Sequence, residues 1–185
     1  MTDIKALFKW ICINNHIDAL NYINPTDLDY DLIRYTLIQV AAKNNIKIFD
    51  WCKEKNIIIY HKDIVCSAID YGHTEILDWY INNNFDITSD FDELVNYACT
   101  CGQTSILDWF VKKNYKFDVN KYKNGIINSL PYIHIDKVLL WFKNNNLLDN
   151  FYNEIIYNPK WIEHSGYTYM TIKIVNAFYN IGYNV

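Results

Sequence analysis

Apolar residues recur along this chain at helical spacing, in short stripes that stop at regular intervals. Ile64, Val65, Ala68 and Ile69 trace one face of a helix, and Ile76, Leu77, Trp79, Tyr80 and Ile81 trace a second. Gly72 breaks the first stripe at a position suited to a left-handed C-terminal residue. Asn82-Asn83-Asn84 closes the second, Asn being the commonest non-glycine residue at positive φ. Asp63 is expected to cap the first helix and Thr74 the second. The next stretch follows the same plan. Leu94, Val95, Ala98 and Cys99 form the stripe, Gly102 breaks it, and Ile106 to Val111 make the second helix. Asp90 and Glu93 have capping-box spacing, with Asp in place of Ser or Thr.

The second helix of each pair carries a recurring phrase. It reads Ile46-Lys47-Ile48-Phe49-Asp50-Trp51, then Glu75-Ile76-Leu77-Asp78-Trp79, then Ser105-Ile106-Leu107-Asp108-Trp109, with a looser copy at Lys137-Val138-Leu139-Leu140-Trp141. The four tryptophans lie 28, 30 and 32 residues apart. Tyr22 fits one period upstream and Phe178 one longer period downstream. Self-similarity at this period marks a stacked array of helix-turn-helix units, because a pair this short cannot bury its apolar face alone. The expected fold is therefore all-α, a solenoid of stacked repeats forming one domain over residues 1–185. Its six units fall at about 1–27, 28–56, 57–86, 87–117, 118–148 and 149–185. Pro131 lies inside the expected first helix of the fifth unit and should shorten or displace it. Asn158-Pro159-Lys160-Trp161 and His164-Ser165-Gly166 suggest an insertion or a distorted first helix in the last.

These residues resemble the ankyrin repeat. Ala68, then Gly72-His73-Thr74-Glu75-Ile76-Leu77-Asp78-Trp79-Tyr80-Ile81, is similar to the second half of its pattern. Ala98, then Gly102-Gln103-Thr104-Ser105-Ile106-Leu107-Asp108-Trp109-Phe110-Val111, matches it again. The family's Thr-Pro-Leu-His opening is replaced by Asp63-Ile64-Val65-Cys66 and Glu93-Leu94-Val95-Asn96. Asn84 and Asn114 occupy the usual late glycine, and tryptophan replaces the first leucine of the leucine triplet. The resemblance is strongest over residues 30–118, weaker over 1–29 and 119–146, and weakest over 147–185. Its degenerate, Asn- and Ile-rich style is similar to ankyrin proteins of large DNA viruses of amoebae.

Composition narrows the class. With 51% hydrophobic and 17% aromatic residues the chain is too apolar to be disordered. No apolar run approaches the roughly 20 residues that cross a bilayer, so no membrane partner is expected. The five cysteines are odd in number and lie in helical stretches, unlike a secreted disulfide framework. The start, Met1-Thr2-Asp3-Ile4-Lys5, has neither the charged region nor the apolar stretch of a secretory signal. An intracellular, cytoplasmic location is expected, in the host cell if the source is viral. A net charge of −4 argues against nucleic acid as the partner. Charge is uneven: eight acids against one lysine from Lys62 to Glu93, and seven lysines against two acids from Lys112 to Lys143.

Candidate chemistry is sparse. The tryptophans could offer a stacking platform, but their place among aliphatics assigns them to the core. Asp50, Asp78 and Asp108 form a row that reads as solvated surface, since metal ligands must converge on one ion. Cys66, Cys99, Cys101, His61 and His73 lack zinc-site spacing, so no metal or cofactor is expected. His16 and His73 hold the Gly-His position, where a structural hydrogen bond is expected. No phosphate-cradling loop, His-Glu-x-x-His or Gly-x-Ser-x-Gly occurs, and an enzyme is not expected.

Resemblance to ankyrin stacks implies a protein-interaction module whose partner docks on the loop tips and the outward face of the first helices. The matching positions are Tyr60, His61, Lys62, Ser67, Asp70 and Tyr71 in one unit. In the next they are Asp90, Phe91, Asp92, Tyr97, Thr100 and Cys101. Exposed aromatics ringed by carboxylates would suit a basic protein partner. Alternatively, these aromatics pack between units. The rival function is structural: a self-assembling protein whose apolar terminal repeats associate end to end. The residues concerned are Ala6, Leu7, Trp10, Ile11 and Ile13 at one end, and Ile172, Ile174, Val175, Phe178 and Tyr179 at the other.

Overall fold

Among the described residues helices form where the apolar stripes recur, and there is no strand. The computed structural model describes residues 3–57, 61–122, 135–148 and 168–183. The expectations for Pro131 and for the stretch 158–166 lie outside these residues. The chain divides into two compact units, Met1–Ser89 and Asp90–Val185.

In the first unit, α1 (Ile4–Ile13), α2 (Tyr30–Ala42) and α4 (Lys62–Asp70) pack side by side, α2 lying between the other two. The second helices, α3 (Ile46–Glu54) and α5 (Thr74–Asn82), pack on one another and on the first helices of their own pairs. Ile17–Tyr22, where the first pair's second helix was expected, is a 3-10 helix. The second unit holds α6 (Phe91–Cys101), α7 (Thr104–Lys112), α8 (Ile135–Asn144) and α9 (Thr168–Asn180). There α7 packs on α6 and α8, and α9 packs on α8.

Every one of these helices ends in the same way. The residue after the last turn is left-handed, and the next N–H reaches back to a carbonyl five residues earlier, the Schellman arrangement. Between the helices of a pair the left-handed residue is Asn15, Asn44, Gly72 or Gly102. After the second helices it is Asn56, Asn84, Asn114, Asn146 or Gly182. Asn84 and Asn114 hold this position at φ 61° and 60°. The returning bonds include His73 N to Ala68 O at 2.9 Å and Phe85 N to Tyr80 O at 3.0 Å. Asparagine tolerates this conformation better than other side chains, and six of them adopt it among the described residues.

Helix starts depart from expectation. His61 caps α4, its Nδ1 accepting the Asp63 N–H at 3.2 Å, so Asp63 sits inside the first turn. Thr74 is the first residue of α5, not its cap. Asp90 precedes α6 but makes no side-chain capping bond. A 3-10 turn at Thr88–Asp90 leads into that helix and leaves Asp90 with ψ 2°, whereas a capping box needs extended backbone there.

The tryptophans are buried in the core, as their place in the phrase predicts: Trp51, Trp79, Trp109 and Trp141 are each under a tenth exposed. The aspartates beside them do more than face solvent. The Trp79 Nε1–H donates to Asp50 Oδ1 at 2.7 Å, and the Trp141 Nε1–H donates to Asp108 Oδ1 at 2.6 Å. Each carboxylate therefore holds the indole of the following pair, α3 to α5 in one unit and α7 to α8 in the other. The expectation of a purely solvated row is corrected for these two. Trp51 has Asn21 one repeat earlier, in the 3-10 segment, and its buried Nε1 has no partner among the described residues.

Replacing Asp50 or Asp108 with Ala leaves a buried indole N–H unpaired, a loss of about 1–3 kcal/mol. Urea unfolding should show that loss for Asp50→Ala and a smaller one for Asp50→Asn, which keeps an acceptor. Equal stability of Asp50→Ala and the parent chain would remove the bond from the account of the fold.

Candidate docking surface

The sequence-derived docking residues fall in both units, and each set stands by itself. In the first unit Tyr60 lies outside the described residues. His61 is half-buried and committed: beyond its capping bond, its Nε2 lies 3.3 Å from Arg34 Nη1. Arg34, the chain's single arginine, also donates to Asp63 Oδ2 at 2.6 Å and lies 4.6 Å over the Tyr35 ring. Ser67 is buried, and its hydroxyl donates to the Ile38 carbonyl at 2.8 Å, so it ties α4 to α2 and offers no surface. Lys62 is half-buried. Asp70 and Tyr71 are exposed at the C-terminal end of α4, Tyr71 by 63%. The Tyr71 ring lies parallel to His73, with centroids 6.2 Å apart.

Two further tyrosines belong to this surface. Tyr30 and Tyr35, on the neighbouring α2, are 51% and 56% exposed. Neither was singled out from the sequence. The available signal was that both lie off the buried stripe of Ile33, Leu37, Val40 and Ala41. Tyr30, Tyr35 and Tyr71 together with Asp31 and Asp70 give adjacent helices a mixed aromatic and acidic exterior.

In the second unit the expectation changes more. Phe91 is buried, with its ring 5.0 Å from Phe110, 5.6 Å from Tyr115 and 5.9 Å from Trp109. These rings all belong to residues 87–117, so Phe91 packs within its own repeat and is neither exposed for docking nor, by these contacts, placed between units. Asp92 is exposed but occupied: its carboxylate accepts from the Tyr115 hydroxyl, from Tyr122 Oη at 2.8 Å and from Lys121 Nζ at 3.2 Å. Those donors, Tyr115 foremost, pull its pKa down to about 2. Tyr122, buried in turn, has its phenol pushed well above the usual range by desolvation. Asp92 thus anchors the segment after α7 and is not a free docking charge. Asp90, Tyr97, Thr100 and Cys101 are half-buried, and Thr100 Oγ1 donates to the Asn96 carbonyl one turn back at 3.0 Å.

The Gly-His position behaves as a structural contact in the third pair. His73 Nε2 lies 3.0 Å from the Ala42 carbonyl at the end of α2. Asn45, its counterpart one repeat earlier, donates from Nδ2 to the Cys12 and Ile13 carbonyls at 3.3 and 3.4 Å. Buried Cys12, Cys52 and Cys99 have thiol pKa values raised by desolvation, that of Cys12 to about 12, which suits packing and not nucleophilic chemistry. Among the described residues no three His, Cys, Asp or Glu side chains converge on a common point. No described helix is long and apolar enough to cross a membrane. At the chain's two ends Leu7, Trp10, Ile172 and Tyr179 are exposed, while Ile11 and Phe178 are buried. Comparison of the chain with protein-family models, with curated proteins and with solved structures finds no match.

The Asp92 cluster has a pH signature. Its folded pKa lies below the unfolded value near 3.8, so its contribution is complete above that value and lost as pH falls toward about 2. Asp92→Asn should lower stability at pH 7 and flatten the acid limb of the stability profile between about pH 4 and 2. Urea midpoints measured across that range check both effects.

Proposed function

We propose that the chain is a non-enzymatic protein-interaction module, a solenoid of ankyrin-like repeats that binds a basic protein partner. The observation that supports it is the exterior of α2 and α4. There three tyrosines are at least half exposed beside Asp31 and Asp70, while α3 and α5 bury Phe49, Trp51, Trp79 and Tyr80 in the core. Large, stiff aromatics at the surface are the residues that most often dominate protein interfaces, and carboxylates around them speed and orient the approach of a cationic partner. Tyr35 is additionally held by the Arg34 guanidinium beneath it, so little side-chain freedom is lost when a partner covers it. The reading narrows the docking residues in this unit to Lys62, Asp70 and Tyr71 with Tyr30 and Tyr35.

The test is affinity purification from the native cell with the parent chain, Asp70→Lys and Tyr71→Ala, followed by titration of the recovered partner. Both substitutions lie on exposed side chains and should leave the thermal transition in place. Tyr71→Ala is expected to weaken binding by about ten-fold or more, and Asp70→Lys to slow association and reduce its salt dependence. Undiminished binding by both variants would remove this surface.

A further inference from the structure

The first helical pair carries a cleft away from the tyrosine face. Within the first unit, each later pair reaches back to the pair before it through the residue that opens its second helix. Asn45 meets the Cys12 and Ile13 carbonyls at the end of α1, and His73 meets the Ala42 carbonyl at the end of α2. His16 holds this position in the first pair. Its ring instead stacks on Trp10, centroids 4.7 Å apart and planes within 17°. Trp10, His16, Ile17, Asp18, Ala19 and Lys47 line an open cleft of about 560 Å³. Trp10 is 55% exposed, and Leu7, one turn earlier on α1, is 36% exposed.

We propose that this cleft takes the C-terminal turn of an α-helix from a partner protein. A helix ends with up to four carbonyls that lack intrahelical donors, and it carries partial negative charge there. His16 and the Lys47 ammonium stand where they can meet those carbonyls, as Asn45 and His73 meet theirs inside the chain. The site thus continues an interface the molecule already builds twice. One difference sets how the partner sits. Position 10 is occupied in the later pairs by Gln39 and Ser67, and Ser67 passes its hydroxyl to a neighbouring backbone carbonyl. An indole there cannot make that close approach. The partner helix therefore docks end-on, its last turn in the cleft and an apolar side chain against Trp10 and Leu7, rather than as one more stacked repeat.

The probe is a hydrocarbon-stapled peptide of residues 28–45, whose last turn carries the Ala42 carbonyl that His73 meets in the chain. It is titrated calorimetrically into the full chain. Binding is expected, weakened by about ten-fold in Trp10→Ala and in His16→Ala and unchanged in Asp70→Lys, which belongs to the other surface. Lys47→Glu, at the exposed rim, should also weaken it and keeps the test readable should either of the first two variants fail to fold. Failure of the peptide to bind overturns the proposal, as does indifference to all three cleft substitutions. Sedimentation equilibrium supplies the other arm: self-association abolished by Trp10→Ala would assign the face to a second copy and overturn it as well.

Discussion

The bond from a tryptophan indole to the carboxylate of the preceding pair is the constraint on which the stacking depends. Apolar packing draws neighbouring second helices together but does not by itself choose their register. A hydrogen bond to a charged acceptor at the edge of the core does. With Trp79 on Asp50 and Trp141 on Asp108, each indole is buried and its N–H is paired. The Asn45 and His73 contacts make the same link between first-helix ends and the pair that follows. Stability in such a structure lies as much in the joints between pairs as in the pairs themselves.

Much of this was legible in the amino-acid order. The 3.6-residue stripes place the helices, and a tryptophan set among aliphatics at a repeating position is buried in every copy described. The late asparagines are left-handed because they stand where a Schellman turn requires it. The role of Asp50 was not legible, because its acceptor function appears only when one copy is laid on the next, and the copies are 29 residues apart at this contact. Helix starts failed for a different reason. Whether Asp90 caps depends on ψ at that residue, which the incoming 3-10 turn sets and the Asp–Glu spacing does not reveal. The 3-10 geometry at Ile17–Tyr22 is another such departure, with a second 3-10 turn opening at Pro25 after Ile23 and Asn24.

The docking surface was half readable. A resemblance identifies positions, and positions such as Asp70 and Tyr71 do lie outside. It cannot report what each side chain finds nearby. Phe91 turns into a ring cluster, Ser67 meets a backbone carbonyl, and Asp92 is claimed by two phenols and a lysine. What is left in the first unit is smaller and better ordered than the original set. Arg34 illustrates the ordering: it binds Asp63, lies beside His61 and supports Tyr35, fixing three surface groups through one guanidinium.

Trp51 differs from Trp79 and Trp141 in having no acceptor for its buried N–H among the described residues. An unpaired buried donor leaves its layer at a deficit, so the free energy of opening is not shared evenly along the first unit. Breathing of the unit is thereby given a direction: it starts where water has an unmet donor to reach, and runs inward until it meets an indole already bound.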